Sequence, residues 1–508
     1  MSAGELRGAV RRTPRKSVRY LQEDKKMKIL QGLEPRGVWN YFEELCGIPH
    51  GSHNEKAVSD YCVRFAKERG LEVHQDSAWN VVIIKEASAG YEDAEPLILQ
   101  GHLDMVCVKE EGCALDFEKD GLDLQTEGDW VCARGTTLGG DDGIAVAYGL
   151  ALLDDDHIPH PRLEVVFTSC EEMGMEGASA LDVSMLKGHT VLNLDSEEEG
   201  ILLAGCAGGS RAEVCLPVER SHGDGVKAVL TLEGLQGGHS GTEIHKGRGN
   251  ANRLLAEVLG TLCEIVNCRI VSLEGGEKDN AIPVRAQAVL LIPEQQREAA
   301  DELCAARAQR LETELSAAEP SLRLRLEWEG AWEADAFCKE SQERALALIL
   351  ALPDGVQAMS REIPGLVETS LNLGIVRTRE DGICLSYALR SSVEAAKERL
   401  TGRMKFLTEY LGGSMEVSGV YPAWEYRRDS RLREDMVRIY EEMFGRKPEV
   451  QAIHAGLECG ILASKIPDLD CVSMGPDILD IHTTKERMSI PSVERMWRYI
   501  LEIVKTKR

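Results

Sequence analysis

Pro96-Leu97-Ile98-Leu99-Gln100-Gly101-His102-Leu103-Asp104 is a short apolar run that ends in an imidazole and a carboxylate. An uninterrupted run of this length reads as a strand buried on both faces, and the polar residues behind it mark where the chain leaves the core. Two more runs repeat the plan: residues 163–168 lead into Ser169-Cys170-Glu171-Glu172, and residues 190–194 end in Asp195-Ser196. Around them, helical spacing occurs at 38–46 and 54–69, a further strand at 80–85 and an apolar helix at 143–153. This alternation predicts an α/β domain with a mostly parallel central sheet. Ligands bind beyond the carboxyl ends of such strands, so the acids and the histidine are expected on one rim.

Working outward, Gly205-Cys206-Ala207-Gly208-Gly209 marks a boundary where the pattern turns to α+β. Strands are expected at 226–232 and 286–291 and helices at 252–266 and 296–317. A second round follows: strand 322–328, helix 340–350, strands 366–376 and 382–391, helix 393–411 and strand 414–420. Two βαββαβ-like passes in tandem predict a duplicated insert. Beyond Tyr421-Pro422-Ala423-Trp424, helix 430–444, segment 450–463, strand 470–474, loop 475–487 and helix 492–506 look like the completion of the first domain. The expected division is therefore a disordered basic arm at 1–26, a first domain at 27–207 and 421–508, and an inserted lid domain at 208–420. A translation start at Met27 fits the basic arm. Arg11-Arg12 is not read as an export signal, because no apolar segment follows it.

The 508 residues carry 59 Lys+Arg against 85 Asp+Glu, a net charge of −26. That balance repels phosphate backbones and anionic headgroups, so neither nucleic acid nor a membrane surface is expected as a partner. The longest nearly uncharged apolar stretch, 143–153, is about half the roughly 20 residues that cross a bilayer. Fifteen cysteines without a Cys-x-x-Cys pair read as small buried hydrophobes in a reducing, cytoplasmic compartment.

A fourth acid pair, Asp141-Asp142, stands in Gly135-Thr-Thr-Leu-Gly-Gly-Asp141-Asp142-Gly143, directly before the apolar helix. Singly it is an N-cap, and Glu171-Glu172 a solvated pair. Gathered on one rim, so many acids and imidazoles would repel one another without a compensating cation. A mixed oxygen and nitrogen set suits a divalent ion such as zinc or manganese. In His102-Leu103-Asp104 alternate residues share a side, so Asp104 can orient the imidazole from behind. Glu171 and Glu172 leave the backbone in different directions, so one is expected to bind metal and the other to move a proton.

The set His102-x-Asp104, Gly135–Asp141, Glu171-Glu172-Met-Gly, Asn193-Leu-Asp195-Ser and late His482 resembles the di-zinc metallopeptidase family of aminoacyl-histidine dipeptidases, carnosinases, aminoacylases and glutamate carboxypeptidases. Ile453-His454-Ala455-Gly456-Leu457-Glu458-Cys459-Gly460 and Thr369-Ser370-Leu371-Asn372-Leu373-Gly374 narrow the resemblance to the aminoacyl-histidine dipeptidase branch. It implies two divalent ions, zinc with manganese or cobalt as substitutes, bridged by Asp141. His102 and Asp195 would complete one site and Glu172 and His482 the other, with Glu171 as general base and Asp104 as the catalytic residue that supports the His102 imidazole. It implies a small dipeptide substrate bound by His239, Asn280, Arg390 and His454, and a homodimer in which His239 acts within its own chain or across the interface. Asp142 stands where this branch often has Asn; the alternating direction of neighbours leaves Asp141 as the bridge.

Other signals fail on spacing. Gly135–Gly143 lacks the Gly-Lys-Ser/Thr ending of a phosphate loop, Gly238-His239-Ser240-Gly241-Thr242 is not a nucleophile elbow, and Gly205–Gly209 lacks the helix a dinucleotide needs. The leading expectation is a metal-dependent dipeptidase for Xaa-His and other unblocked dipeptides. An N-acyl-amino-acid amidohydrolase on the same centre, or a metal-binding scaffold without catalysis, are the alternatives.

Overall fold

A computed structural model describes residues 29–506; the arm expected at 1–26 and the start at Met27 lie outside the described residues. The first sheet runs, in space, Glu72–Gln75, Val81–Lys85, Leu163–Thr168, Leu97–His102, Thr190–Asn193, Asp470–Ser473, Ile201–Cys206 and Glu449–Ile453. Its four middle strands, Leu163–Thr168 to Asp470–Ser473, are parallel. The mostly parallel central sheet is as expected, Glu449–Ile453 also pairing parallel with Ile201–Cys206, and the departures lie toward the flanks. Antiparallel pairs join Glu72–Gln75 to Val81–Lys85, Val81–Lys85 to Leu163–Thr168, and Asp470–Ser473 to Ile201–Cys206, so the sheet is mixed. Apolar composition reports burial but not strand direction.

Period-two alternation supplies two cores from one set of strands. Val81, Ile83, Leu97, Leu99, Val165 and Phe167 face one core, which also receives Val38, Trp39 and Phe42 of helix Arg36–Cys46. Val82, Ile84, Ile98, Val166 and Val191 face the other, against Trp424 and Leu462 from beyond residue 421. Helix Gly140–Asp154 is buried on every side, as its nearly uninterrupted apolar sequence requires. Insertion of Asp470–Ser473 between Thr190–Asn193 and Ile201–Cys206 makes the C-terminal segment part of the first sheet.

All strands of the second sheet come from Gly208 to Tyr421. Its order is Arg323–Phe337, Arg220–Glu233, Ala286–Ile292, Arg269–Gly275, Val367–Thr378, Gly382–Ser391, Gly208–Pro217 and Ser414–Tyr421, with Gly355–Met359 also pairing Val367–Thr378. Numbering each half in chain order, both halves read fourth, first, third, second, and they meet at their second strands. The tandem expectation is overturned: one half lies nested between the first and second strands of the other. Arg323–Phe337, expected to open the second pass, closes the first, while Gly208–Pro217 opens the outer half. Linear order cannot reveal nesting, because pairing partners are chosen by burial across long separations.

The cysteine expectation also changes. Cys215 and Cys384 face each other in register on adjacent strands and are joined by a disulfide across 169 residues. Cys46, Cys62, Cys206, Cys459 and Cys471 are buried free thiols, whereas Cys107 is exposed.

Candidate metal centre

The parallel register levels the strand ends: His102 lies opposite Thr168, and Gln100 opposite Asn193. The residues that follow therefore emerge on one rim. Asp141 arrives from the start of helix Gly140–Asp154, whose free N–H groups point at a buried carboxylate from a distant loop. Glu486 accepts from Leu138 N at 2.7 Å, Gly139 N at 3.2 Å and Gly140 N at 2.8 Å. An anion at a helix N-terminus satisfies these orphan donors and complements the helix dipole. Sequence reasoning missed Glu486, and no local pattern could have found it, since its partners lie some 346 residues away. The loop that anchors the helix also carries His482.

At the centre of the rim, Asp141 reaches two imidazoles with two different oxygens. Oδ1 lies 3.1 Å from His102 Nε2, and Oδ2 lies 3.0 Å from His482 Nε2. Asp195 Oδ1 is 3.5 Å from His102 Nε2, and Glu172 Oε1 is 2.9 Å from His482 Nε2. Donor atoms of His102, Asp141 and Asp195 lie within 4.8 Å of one another, as do those of Asp141, Glu172 and His482, and of His102, Glu171 and Glu172. Asp142 turns away and accepts His102 N at 3.1 Å.

Asp104 does more than sit behind its neighbour. His102 Nδ1 lies 3.0 Å from the Asp104 backbone oxygen and 3.5 Å from its Oδ1. The same carboxylate accepts Glu171 N at 3.0 Å and Ser52 Oγ at 2.8 Å. It thereby ties the imidazole to the turn that carries both glutamates. Glu458, which the sequence shows only as part of the 453–460 motif, is fully buried; its Oε2 accepts Gln100 Nε2 and Thr168 Oγ1, each at 2.6 Å, while Oε1 has no partner.

Electrostatics define what this rim lacks. Burial, reinforced by the charges of Asp141 and Glu197, pushes the Asp195 carboxyl up to about 7 despite the help of His102. Burial and Asp141 bring Glu197 to about 7, and burial holds Glu171 well above the ordinary glutamate range. Burial opposes protonation of His102, yet Asp195, Asp104 and Asp141 overcome it and hold the ring well above its usual value. Hydrogen bonds to Asp141 and Glu172 raise His482 to about 10. The rim carries more negative charge than its protein surroundings neutralise. Converging carboxylate oxygens and imidazole nitrogens fit two divalent cations with Asp141 between them.

The four residues expected to hold substrate divide differently. His239 Cε1, Arg390 Nε and the His454 carbonyl all lie close to Gly241, so near that a Cβ there would approach them to 3.0, 3.0 and 2.6 Å. Burial and Arg390 lower His454 to about 3; its Nε2 meets Ser370 Oγ at 2.7 Å and its buried Nδ1 has no partner. Burial and Arg390 also lower His239, whose Nδ1 accepts Thr242 N at 3.1 Å. Arg390 Nη1 donates to Tyr421 Oη at 2.9 Å. Asn280 joins through its backbone, where its oxygen accepts Ser240 N, and with His239 it lines a cavity of about 540 Å³.

The sequence model of peptidase family M20/M25/M40 matches residues 98–506. The chain is 38% identical over 484 residues to the cytosol non-specific dipeptidase of Escherichia coli, covering 94% of this chain and 99% of that protein. The crystal structure of aminoacylhistidine dipeptidase from Vibrio alginolyticus superposes with a TM-score of 0.88 at 37% identity, covering 94% of this chain and 98% of that one. Aminopeptidase PepT from Bacillus cereus shares the fold at a TM-score of 0.54 and 16% identity, over 94% of this chain and 99% of that one.

Proposed function

Since the chain belongs to peptidase family M20/M25/M40, we propose that it hydrolyses the peptide bond of small unblocked dipeptides, Xaa-His among them, in the cytoplasm. The observation that carries the reading is the Asp141 carboxylate, which offers one oxygen beside His102 and Asp195 and the other beside His482 and Glu172. The names of the Escherichia coli and Vibrio relatives, similar over nearly their whole lengths, support dipeptides as the substrate class.

In this reading His102, Asp195 and Asp141 would hold one divalent ion, and His482, Glu172 and Asp141 a second, zinc being the expected metal and manganese or cobalt its substitutes. Two such ions would supply Lewis-acid polarisation of the scissile carbonyl and a more acidic water. Glu171 takes the proton of the attacking water on its carboxylate and delivers it to the leaving amine. Asp104 keeps the His102 ring and the Glu171 turn in their relative positions. His239, Arg390 and His454, gathered at Gly241, and Asn280 beside them, bind the substrate. Residues 208–420 act as the lid, and the working form is a homodimer.

The deciding experiment assays Xaa-His dipeptides, other dipeptides and N-acetyl amino acids side by side on zinc-, manganese- and cobalt-loaded protein, before and after dialysis against a strong chelator. Dipeptides should be cleaved fastest, and chelation should abolish turnover. Faster release of acetate than of amino acids would favour an amidohydrolase, and full activity after chelation would sink the two-metal reading.

A further inference from the structure

Beside the turn that carries Glu171 and Glu172 lies another donor cluster, built from residues with no place in the chemistry above. Cys170 Sγ is 3.4 Å from His53 Nδ1 and 3.9 Å from its Nε2. A carboxylate oxygen of Glu176 completes a set of donor atoms within 4.8 Å of one another. A tetrahedral zinc ion with bonds of about 2.3 Å to sulfur and about 2.1 Å to nitrogen holds those two atoms roughly 3.6 Å apart. The observed sulfur–nitrogen distance is close to that spacing.

The cluster is held together from beneath. Glu55, itself buried, accepts with one oxygen both His53 N at 2.8 Å and Cys170 N at 3.1 Å. This clamp fixes two segments 117 residues apart. Both clamped residues have left-handed backbones, with φ of 68° at His53 and 54° at Cys170, a conformation non-glycine residues adopt at a cost. Cys170 is buried, whereas His53 and Glu176 are exposed, so the donors open to solvent on one side.

We propose that His53, Cys170 and Glu176 form a third metal site, separate from the Asp141 centre and suited to a borderline-soft divalent ion such as zinc. On binding, the Cys170 S–H bond breaks, its proton passes to solvent, and the thiolate sulfur bonds the metal; water takes the fourth position. Cys170 directly precedes Glu171, so an ion here restrains the glutamate turn, and excess zinc inhibits. This last consequence rests on the role of Glu171 proposed above; the site itself does not.

The test titrates two-metal protein with further cobalt(II). A third equivalent should appear with thiolate-to-cobalt charge-transfer absorption in the near ultraviolet, since the Asp141 centre offers only nitrogen and oxygen donors. His53→Ala and Cys170→Ser should each abolish that band or weaken the third equivalent by about tenfold or more, with the first two retained. Saturation at two equivalents, or a band of unchanged affinity in either variant, overturns the site; the latter would assign the thiolate elsewhere, for instance to Cys263 and Cys268, whose sulfurs are 2.8 Å apart. Excess zinc should inhibit His53→Ala only at about tenfold higher concentration than wild type. Equal inhibition overturns the regulatory consequence. The cobalt band decides the site even if no dipeptide is hydrolysed.

Discussion

The acid rim of the first sheet and the Gly241 cluster, where Arg390 of the second sheet meets His454 from just beyond the first, both gather histidines, and they treat them in opposite ways. On the rim, carboxylates surround His102 and His482 and raise both rings, His482 to about 10. Around Gly241, burial and Arg390 lower His454 to about 3. Burial always disfavours the charged form; neighbouring charge decides whether that tendency prevails. The contrast separates a place short of cations from a place that keeps its imidazoles neutral beside a guanidinium, ready for an anionic or polar ligand.

The sharpest way to break the contrast is at Glu171. Glu171→Gln removes the proton acceptor without touching His102, Asp141, Asp195, Glu172 or His482. Turnover should fall roughly 10²–10⁴-fold while metal analysis still finds both ions. Loss of metal together with activity would make Glu171 a ligand. Next is Glu486→Gln, which leaves the N-terminus of the Asp141 helix without its carboxylate. Metal affinity, measured by competition with a chelator, should drop about 10–100-fold, as for other groups that support a ligand from behind. Unchanged affinity would mean that packing alone positions Asp141.

On the other side of the comparison, Gly241→Ala places a methyl group against His454 O, Arg390 Nε and His239 Cε1. Overpacking of about 1–3 kcal/mol there should raise KM about tenfold with metal content intact. An unaltered KM would remove this cluster from substrate binding. The smallest effect is on stability. In metal-free protein, Asp195 and Glu197 titrate near 7 in the fold, against ordinary values near 4, and His482 near 10 against 6.5. Through these three groups the folded state binds more protons than the unfolded one above about pH 4, opposed below about pH 6.5 by His454, which the fold holds near 3. Stability should fall as pH rises from about 4 through 7 for the acids, and from about 6.5 through 10 for His482. Melting curves of apo protein should show Tm lower at pH 8 than at pH 5, and zinc loading should shrink that difference. A rise with pH would reverse the assigned charge balance.

Much of this was legible in the amino-acid order because strands and helices write their orientation locally. Residues 163–168 and 382–391 were expected as strands and occupy those spans, and the polar residues beyond three buried runs do meet on one rim. The nested second sheet, the antiparallel flanks, the Cys215–Cys384 bond and the Glu486 anchor were not legible. Each depends on which distant segments pack side by side, and periodicity carries no information about that choice.

The amino-acid order by itself determined the element types, the buried strands and the donor chemistry of His102, Asp141, Glu171, Glu172, Asp195 and His482. Only the tertiary structure decided which oxygen of Asp141 faces which histidine, that Asp142 turns to the His102 backbone, and that Glu55 locks His53 to Cys170. Hydrophobic pattern is set by neighbours a few residues apart, whereas a carboxylate finds its partner through burial and pairing that join stretches hundreds of residues apart.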